Sequence, residues 1–478
     1  MTNLVALDLG NESGRVMRVT FNGGRISTTE VYRFPNHPVT VHDTLYWDVL
    51  RLWHEIEHGL AQALTEPAAG IAVDSFGVDF GLLDSRGALI GNPVHMRDRR
   101  TEGMMEWVLE RIPREVLFQR TGIGFYVINT LYQLASLLRD APWQLESART
   151  LLTMPNLMNY WLTGEIASEF THTTTTQCYN WQTGDWDWET LNTLGIPKNI
   201  FPQVVQPGVK LGAYRDVPVF TVASHDTGSA VAAVPAETPH FAYISSGTWS
   251  LFGLETRKPL TSPAALAANL TSEGGAYGTF RPLKMVMGLW IIQQCRATWA
   301  QQGIDTNYDR LLAQAQAEAP FTALIDPDDP TFFSPGNMPG RVRAFCERTR
   351  QPAPQTVGQV MRAVLESLAL KYRHVVEQLV AAGGQPVEVI HIVGGGSRNP
   401  LLCQMTANAT GRPVLAGPVE ATALGNGLVQ LIALGELHDL AEARAVVRAS
   451  LPPTRYEPTQ TADWDAAYER FQQIMTAP

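Results

Sequence analysis

Cysteine is scarce in this chain. Cys178, Cys295, Cys346 and Cys403 are the only four in 478 residues, and no two form a C-x-x-C pair. That scarcity argues against a disulfide scaffold or a zinc ribbon, and reduced cytosolic thiols are expected. Basic runs are missing too. Lys plus Arg number 36 against 46 Asp plus Glu, a formal charge of −10. Nucleic-acid phosphates need a cationic patch, so a nucleic-acid partner is not expected. No stretch approaches the roughly 20 apolar residues of a membrane helix. The apolar opening over residues 4–9 is short for a signal peptide and is broken by Asp8. The histidines show no metal-ligand spacing. The expectation is a soluble cytoplasmic protein, monomer or homodimer, without a membrane partner.

What is present is ordinary globular material: 45% hydrophobic and 17% charged residues. The length suits two large domains. Residues 4–9 read as a buried strand, 10–14 as a turn of small and polar residues, and 15–21 as a second strand, with a third over 24–32. Helical spacing follows over 48–64, where Leu52, Ile56, Leu60 and Leu64 share a face. Strand patterns at 71–75 and 81–85 flank Gly77. Near residue 241 the opening layout returns as strand, small polar turn, strand. That position is half the chain length from the first copy and suggests a duplicated domain, with the boundary near 237–240 and halves 1–238 and 239–478. Late in the chain, residues 387–393 read as a strand and Gly394, Gly395 and Gly396 as a turn. Asn399 suits a helix N-cap, Pro400 the first helical position and Gly411 the end. A short strand over 413–416 and a helix over 421–434 follow. Strands alternating with helices indicate an α/β fold. The threonine run 173–176 reads as a strand or loop edge without chemistry.

Several residues suggest phosphate chemistry. In the first turn, Gly10 and Gly14 let backbone N–H groups approach an anion, and Ser13 and Arg15 add donors. Ser245, Ser246, Gly247 and Thr248 offer the same chemistry in the second copy. A hairpin turn alone explains either loop; the pairing of two such loops suits a triphosphate held from both sides. Asp226 lies between His225 and Thr227 before an apolar helical run. It reads either as a helix cap or as a general base for a sugar hydroxyl. A weak base is enough for phosphoryl transfer, whose loose transition state asks little deprotonation of the nucleophile. Asp8, at a strand end beside the first loop, could hold Mg²⁺ through water or simply start a turn. Asp74, Asp79, Asp98 and the arginines 97, 99 and 100 could bind a polyol or form surface ion pairs. Trp186 and Trp188 read as packing residues.

Taken together, DLGNESGRVM at 8–17, GVDFGLLD at 77–84, RTGI at 120–123 with NTLYQ at 129–133, SHDTGSA at 224–230, SSGTWSL at 245–251, MGLW at 287–290 and GGGSRNP at 394–400 resemble the FGGY carbohydrate kinases, and most closely their rhamnulokinase branch. The resemblance spans nearly the whole chain. It implies two ribonuclease-H-like domains of the actin and hexokinase type flanking a deep catalytic cleft. It implies ATP and Mg²⁺, and a ketose phosphorylated on its C1 hydroxyl, L-rhamnulose first, with L-fuculose or L-xylulose as alternatives. A sugar or ATP sensor of the same fold is a further alternative. By matching positions, Asp226 is implied as the proton acceptor, and Gly77, His225 and Thr227 as sugar contacts. Asn11, Glu12, Ser13, Gly14, Arg15, Thr248, Gln293 and Gly395 are implied as ATP contacts. One position departs from the branch. The resemblance leads one to expect a sugar-touching Asn after Leu283 and Lys284, and Met285 stands there. A thioether lacks the paired donor and acceptor of an amide, so a shifted choice of ketose is expected. Glu12 also brings a negative charge to the first loop.

Overall fold

The computed structural model describes residues 1–476. Its chain divides into two compact units, 1–237 with 255–282 and 420–451, and 238–254 with 283–419 and 452–478. The break at 237/238 falls where the sequence repeat begins. Two later segments, 255–282 and 420–451, group with the first unit, so the units are not the continuous halves 1–238 and 239–478.

In the first unit the strand Thr2–Leu9 is central. It runs antiparallel to Ser13–Phe21, which pairs in turn with Ile26–Pro35. On its other side it runs parallel to Gly70–Ser75, followed by parallel Val217–Phe220 and antiparallel Lys210–Tyr214. The second unit repeats this order around Phe241–Ser246. That strand pairs antiparallel with Trp249–Leu254, which pairs with the end of Phe280–Met287. On the other side come parallel Val389–Val393, parallel Val414–Ala416 and antiparallel Thr454–Tyr456. Each unit therefore has three antiparallel strands, two parallel ones and an antiparallel edge, the order expected of ribonuclease-H-like domains.

Local sequence explains the elements that frame this order. Thr2–Leu9 is buried from Leu4 onward, as a strand covered on both faces must be. The helix Val49–Ala63 starts where the Asp48 side chain accepts from the Arg51 amide at 3.3 Å, and it buries Leu52, Ile56 and Leu60. Asn399 caps Pro400–Thr410 by accepting from the Leu402 amide at 2.9 Å, and Gly411 ends that helix at φ +62°. All four cysteines are free and buried. No helix among the described residues is long and apolar enough to cross a membrane.

The threonine run is a correction. Phe170–Thr175 is a helix, not a strand or loop edge. Glu169 caps it, accepting from the amides of Thr171 at 2.9 Å and His172 at 3.1 Å. The Thr173, Thr174 and Thr175 hydroxyls donate to carbonyls three or four residues back. That back-bonding satisfies the buried hydroxyls and overrides the weak helix preference of threonine.

Candidate functional site

In the first unit, the polar end of the sheet gathers acids around one arginine. Strand register sets Asp8 opposite Arg15 in the hairpin and beside Asp74 in the parallel pair. The Arg15 guanidinium donates through Nη2 to Asp8, and through Nη1 to Glu420 at 2.5 Å. Glu420 immediately precedes the helix Ala421–Ala433. Burial pushes the Asp8 carboxyl up; Arg15 opposes that, and Asp226 and Glu420 add to it. Asp74, wholly buried, is raised well above the usual carboxylate range, first by burial and then by Asp8. Asn426 holds one of its oxygens at 2.6 Å, and Oδ1 has no hydrogen-bond partner.

Asp226 opens the short helix Asp226–Ala232, with its side chain about one-third exposed. Its Oδ1 accepts from the Thr227 amide at 2.5 Å and the Thr227 hydroxyl at 3.1 Å. Nε2 of His225 stands 3.5 Å from the same oxygen. Gly77 faces that nitrogen: a Cβ there would lie 3.3 Å from it. The next residue, Val78, has φ +69°, a conformation that β-branched residues rarely adopt. Gly77, His225, Asp226 and Thr227 thus share one locality of the first unit.

The first loop is a tight hairpin turn. The Gly10 amide donates to the Ser13 carbonyl at 3.0 Å, and the Asn36 amide to the Glu12 carbonyl at 3.0 Å. Asn11 and Glu12 are exposed. Gly14 already belongs to a strand, where a Cβ would come within 2.2 Å of the Phe34 ring, so packing also forbids a side chain there.

In the second unit, Thr248 sits in the turn between Phe241–Ser246 and Trp249–Leu254, and its carbonyl accepts from the Trp290 amide at 3.1 Å. Gln293 is half-buried on the helix Trp290–Gln301. The glycine run is a strand–helix turn with three distinct demands. Gly394 has φ +80°. A Cβ on Gly396 would strike Ser246 Oγ at 2.0 Å. Gly395 is exposed, with no atom within 4 Å of a would-be Cβ. That bare backbone face fits a flat nucleoside lying against it. Met285 is half-buried on a strand of this unit, opposite Leu251.

Two family models match: the N-terminal domain of the FGGY family of carbohydrate kinases over residues 3–222 and its C-terminal domain over 242–434. The chain belongs to the FGGY family of carbohydrate kinases. It is 43% identical over 481 residues to a rhamnulokinase of Bacteroides thetaiotaomicron, covering 98% of each chain. It is 41% identical over 488 residues to a rhamnulokinase of Pectobacterium atrosepticum, covering 100% of this chain and 98% of the relative. A ligand-bound xylulose kinase from Lactobacillus acidophilus shares the fold at TM-score 0.83 and 17% identity, over 100% of this chain and 98% of that one. Carbohydrate kinases of this family transfer phosphate from ATP, so this chain is an ATP-dependent sugar kinase.

Within this kinase Asp74, Asp79 and Asp98 are buried, which rules out the surface ion pairs considered for them. Asp79 is fully buried and accepts from Trp47 Nε1 at 2.6 Å, Gln133 Nε2 at 2.9 Å and the Met96 amide at 3.0 Å. Burial still raises its carboxyl to about 6. Asp98 accepts from the amides of Leu45 and Arg100. Arg100 donates to Gln133 at 2.6 Å, and Arg97 and Arg99 lie at the surface. Of the two tryptophans, Trp186 packs in the core.

Sequence reasoning passed over Glu169, Glu273, Arg281, Glu420 and Asn426. Glu273 and Arg281 lie in short, mostly buried strands, Thr271–Gly274 and Phe280–Met287. A lone charge in such a strand is costly to bury without a partner, and that was the signal available.

Mg²⁺ finds a suitable donor set. Among the described residues no three His, Cys, Asp or Glu side chains form a metal cage. This ion needs none, since it keeps most of its waters and takes one or two carboxylates plus substrate phosphates. Asp8, Asp226 and Glu420, with Arg15 as the cation bonded to two of them, could meet a hydrated divalent cation, while Asp74, raised well above the usual carboxylate range by burial, does not count as a charge beside them.

Proposed function

We propose that this kinase phosphorylates the C1 hydroxyl of L-rhamnulose, with Asp226 as general base. The observation that carries the substrate is identity of 41–43% along essentially the full length of two proteins named rhamnulokinase. The base assignment draws support from Asp226 being partly open, unlike Asp8 and Asp74, and bonded through Oδ1 to Thr227.

In this reading His225, Thr227 and Gly77 seat the sugar, and Asp226 Oδ2 takes the C1 hydroxyl proton. The sugar oxygen forms a bond to the γ-phosphorus while the bond from that phosphorus to the β–γ bridging oxygen breaks. ADP leaves with the electron pair, and Asp226 returns its proton to water. Asn11, Glu12, Ser13, Gly14 and Arg15 in the first unit, and Thr248, Gln293 and Gly395 in the second, are the residues read as ATP contacts. Asp8 and the neighbouring carboxylates would hold Mg²⁺ through water, and the ion would neutralise charge on the transferring phosphoryl group.

The test is coupled ADP release with a panel of L- and D-ketoses. L-rhamnulose should give the highest kcat/KM, and Asp226→Asn should abolish turnover while the folded signal by circular dichroism is kept. Near-normal turnover in that variant would remove Asp226 from the role. Met285 supports a second reading, a related ketose such as L-fuculose or L-xylulose, and the same panel decides between them.

A further inference from the structure

Behind the Thr248 turn of the second unit lies a buried cation that no part of the reaction has yet used. Lys371 sits in the helix Val357–Ala381, and only 9% of its side chain is exposed. Its Nζ donates to Oδ1 of Asp326 at 2.8 Å and stands 3.0 Å from Oδ2 of Asp328. Burial pulls the ammonium down, but Asp328 and Asp326 outweigh that and hold it above its ordinary value, so the charge stays. The Asp328 amide donates to Asp326 Oδ1 at 3.1 Å, closing a turn that presents both acids to Lys371. One oxygen of Asp328 thus faces the lysine. The other, Oδ1, accepts from the Met287 amide at 2.9 Å.

Met287 ends the strand Phe280–Met287, opposite Trp249. The next three residues wrap the turn that carries Thr248. The Leu289 amide donates to the Gly247 carbonyl at 3.2 Å, and the Trp290 amide to the Thr248 carbonyl at 3.1 Å. A Cβ on Gly288 would stand 2.8 Å from the Ser250 nitrogen, so this segment lies directly against the strand that leaves the turn. The helix Trp290–Gln301, which bears Gln293, begins at its end.

We infer that Asp328, held by Lys371, is a positioning residue for nucleotide binding: it fixes the Met287 amide, and through residues 287–290 it sets where Thr248 and Gln293 stand. This inference rests on the reading of Thr248 and Gln293 as ATP contacts and deepens it. The same helix braces the turn at the neighbouring residue, where the buried Tyr372 hydroxyl lies 2.6 Å from Ser250 Oγ. Such support matters because binding groups act only when held within about 0.5 Å of their productive positions.

The test is calorimetric titration with ADP and Mg²⁺, which needs no choice of sugar. Asp328→Ala removes the acceptor and leaves Lys371 paired with Asp326; the Asp328 side chain is 28% exposed, so truncation leaves no sealed cavity. The Kd for ADP should rise about tenfold, the worth of one hydrogen bond, and hydrogen exchange over residues 287–290 should quicken. Asp328→Asn keeps an accepting oxygen, and Lys371 keeps Asp326, so its Kd should stay within about threefold of wild type. A purely structural ion pair would lower the melting temperature in both variants and leave the Kd alone. Wild-type ADP affinity in Asp328→Ala, unchanged exchange over 287–290, or an equal loss in Asp328→Asn would each overturn the inference. In the wild type, ADP should slow exchange over the same residues, and no slowing would overturn it even if the alanine variant does not fold. Thr248→Ala, titrated alongside, separates the two ideas. If it weakens ADP binding while Asp328→Ala does not, the reading of Thr248 stands and this inference alone falls; no change in either removes the turn from the nucleotide.

Discussion

Gly425 packs directly on the backbone of Ser229. A Cβ at Gly425 would stand 1.7 Å from the Ser229 carbonyl oxygen. Gly425 belongs to the helix Ala421–Ala433 and Ser229 to Asp226–Ala232, so the absence of one methyl group lets these two helices meet. Gly427, two residues on, meets a side chain instead, with a would-be contact of 2.6 Å to Val19 Cγ1 of the sheet.

Gly425→Ala is therefore expected to push the Asp226 helix out of place. Backbone cannot yield as a side-chain tip does, and overpacking costs about 1–3 kcal/mol. Melting should fall by roughly 2–4 °C per kcal/mol for a unit of this size. The kcat should fall more than stability alone explains, on the order of tenfold or beyond, because Asp226 moves with its helix. Thermal melting and steady-state kinetics on one preparation check both. A variant that loses stability but keeps kcat would show that the helix start is held from elsewhere.

Glu169 makes stability depend on pH with a definite sign. Burial raises its carboxyl to about 7, against the pull of Thr171, His172 and Ser224. A carboxyl raised in the folded state binds its proton more tightly there than in the unfolded chain. Its contribution is complete below about pH 4.5 and is lost as pH rises through about 7. At about 1.4 kcal/mol per pH unit the loss is a few kcal/mol. Urea unfolding at pH 5 and pH 8 should show the wild type weaker at pH 8 from this group. Glu169→Gln should be less stable at pH 5, where its amide faces donors, and should show a smaller drop to pH 8. An unchanged drop would mean that Asp79, raised in the same direction, carries the effect.

The contrast between Asp226 and Glu273 shows what the sequence could reveal. Asp226 sits in a local string, Ser224 to Ala230, whose turn-then-helix pattern positions it through neighbours in the chain. The glycine run 394–396 was readable because it breaks the strand pattern just before a helix, although what Gly396 makes room for, Ser246, lies far away in sequence. Glu273, Arg281 and Glu420 act through partners far away in sequence. Glu420 meets Arg15 across 405 residues, and nothing local encodes that pairing. The grouping of 255–282 and 420–451 with the first unit was hidden for the same reason. The threonine run misled because helix capping by Glu169 and hydroxyl back-bonding outweighed intrinsic preference.

Met285 is the position at which sugar choice should respond. Its thioether offers no strong donor, whereas an asparagine there offers both donor and acceptor. Met285→Asn is expected to raise kcat/KM for L-rhamnulose relative to the other ketoses by roughly tenfold, the worth of one hydrogen bond of about 1.4 kcal/mol. The panel that defines the wild-type preference measures this directly. An unchanged ranking would separate Met285 from the sugar and leave its role in packing against its own strand.

Glu420 offers a way to test the first loop without touching the base. It holds one end of Arg15 at 2.5 Å while Asp8 holds the other. Arg15 is only 18% exposed, so the guanidinium is oriented by both acids together. Glu420→Gln keeps the shape and an accepting oxygen but removes the charge, which loosens that end of Arg15 and lessens the negative charge around it. Two effects compete. A freer Arg15 costs orientation, and a less negative surrounding favours phosphates. Arg15 and Asp8 both remain charged and bonded, so orientation is largely kept and the electrostatic effect should win. The KM for ATP is then expected to fall a few-fold, since a partly exposed pair is worth about 1 kcal/mol or less, with the KM for sugar unchanged. A Glu420→Ala variant loses the acceptor altogether and is expected to raise the KM for ATP instead. Opposite signs in the two variants would establish Arg15 as a phosphate contact oriented by Glu420; no change in either would separate Arg15 from the nucleotide.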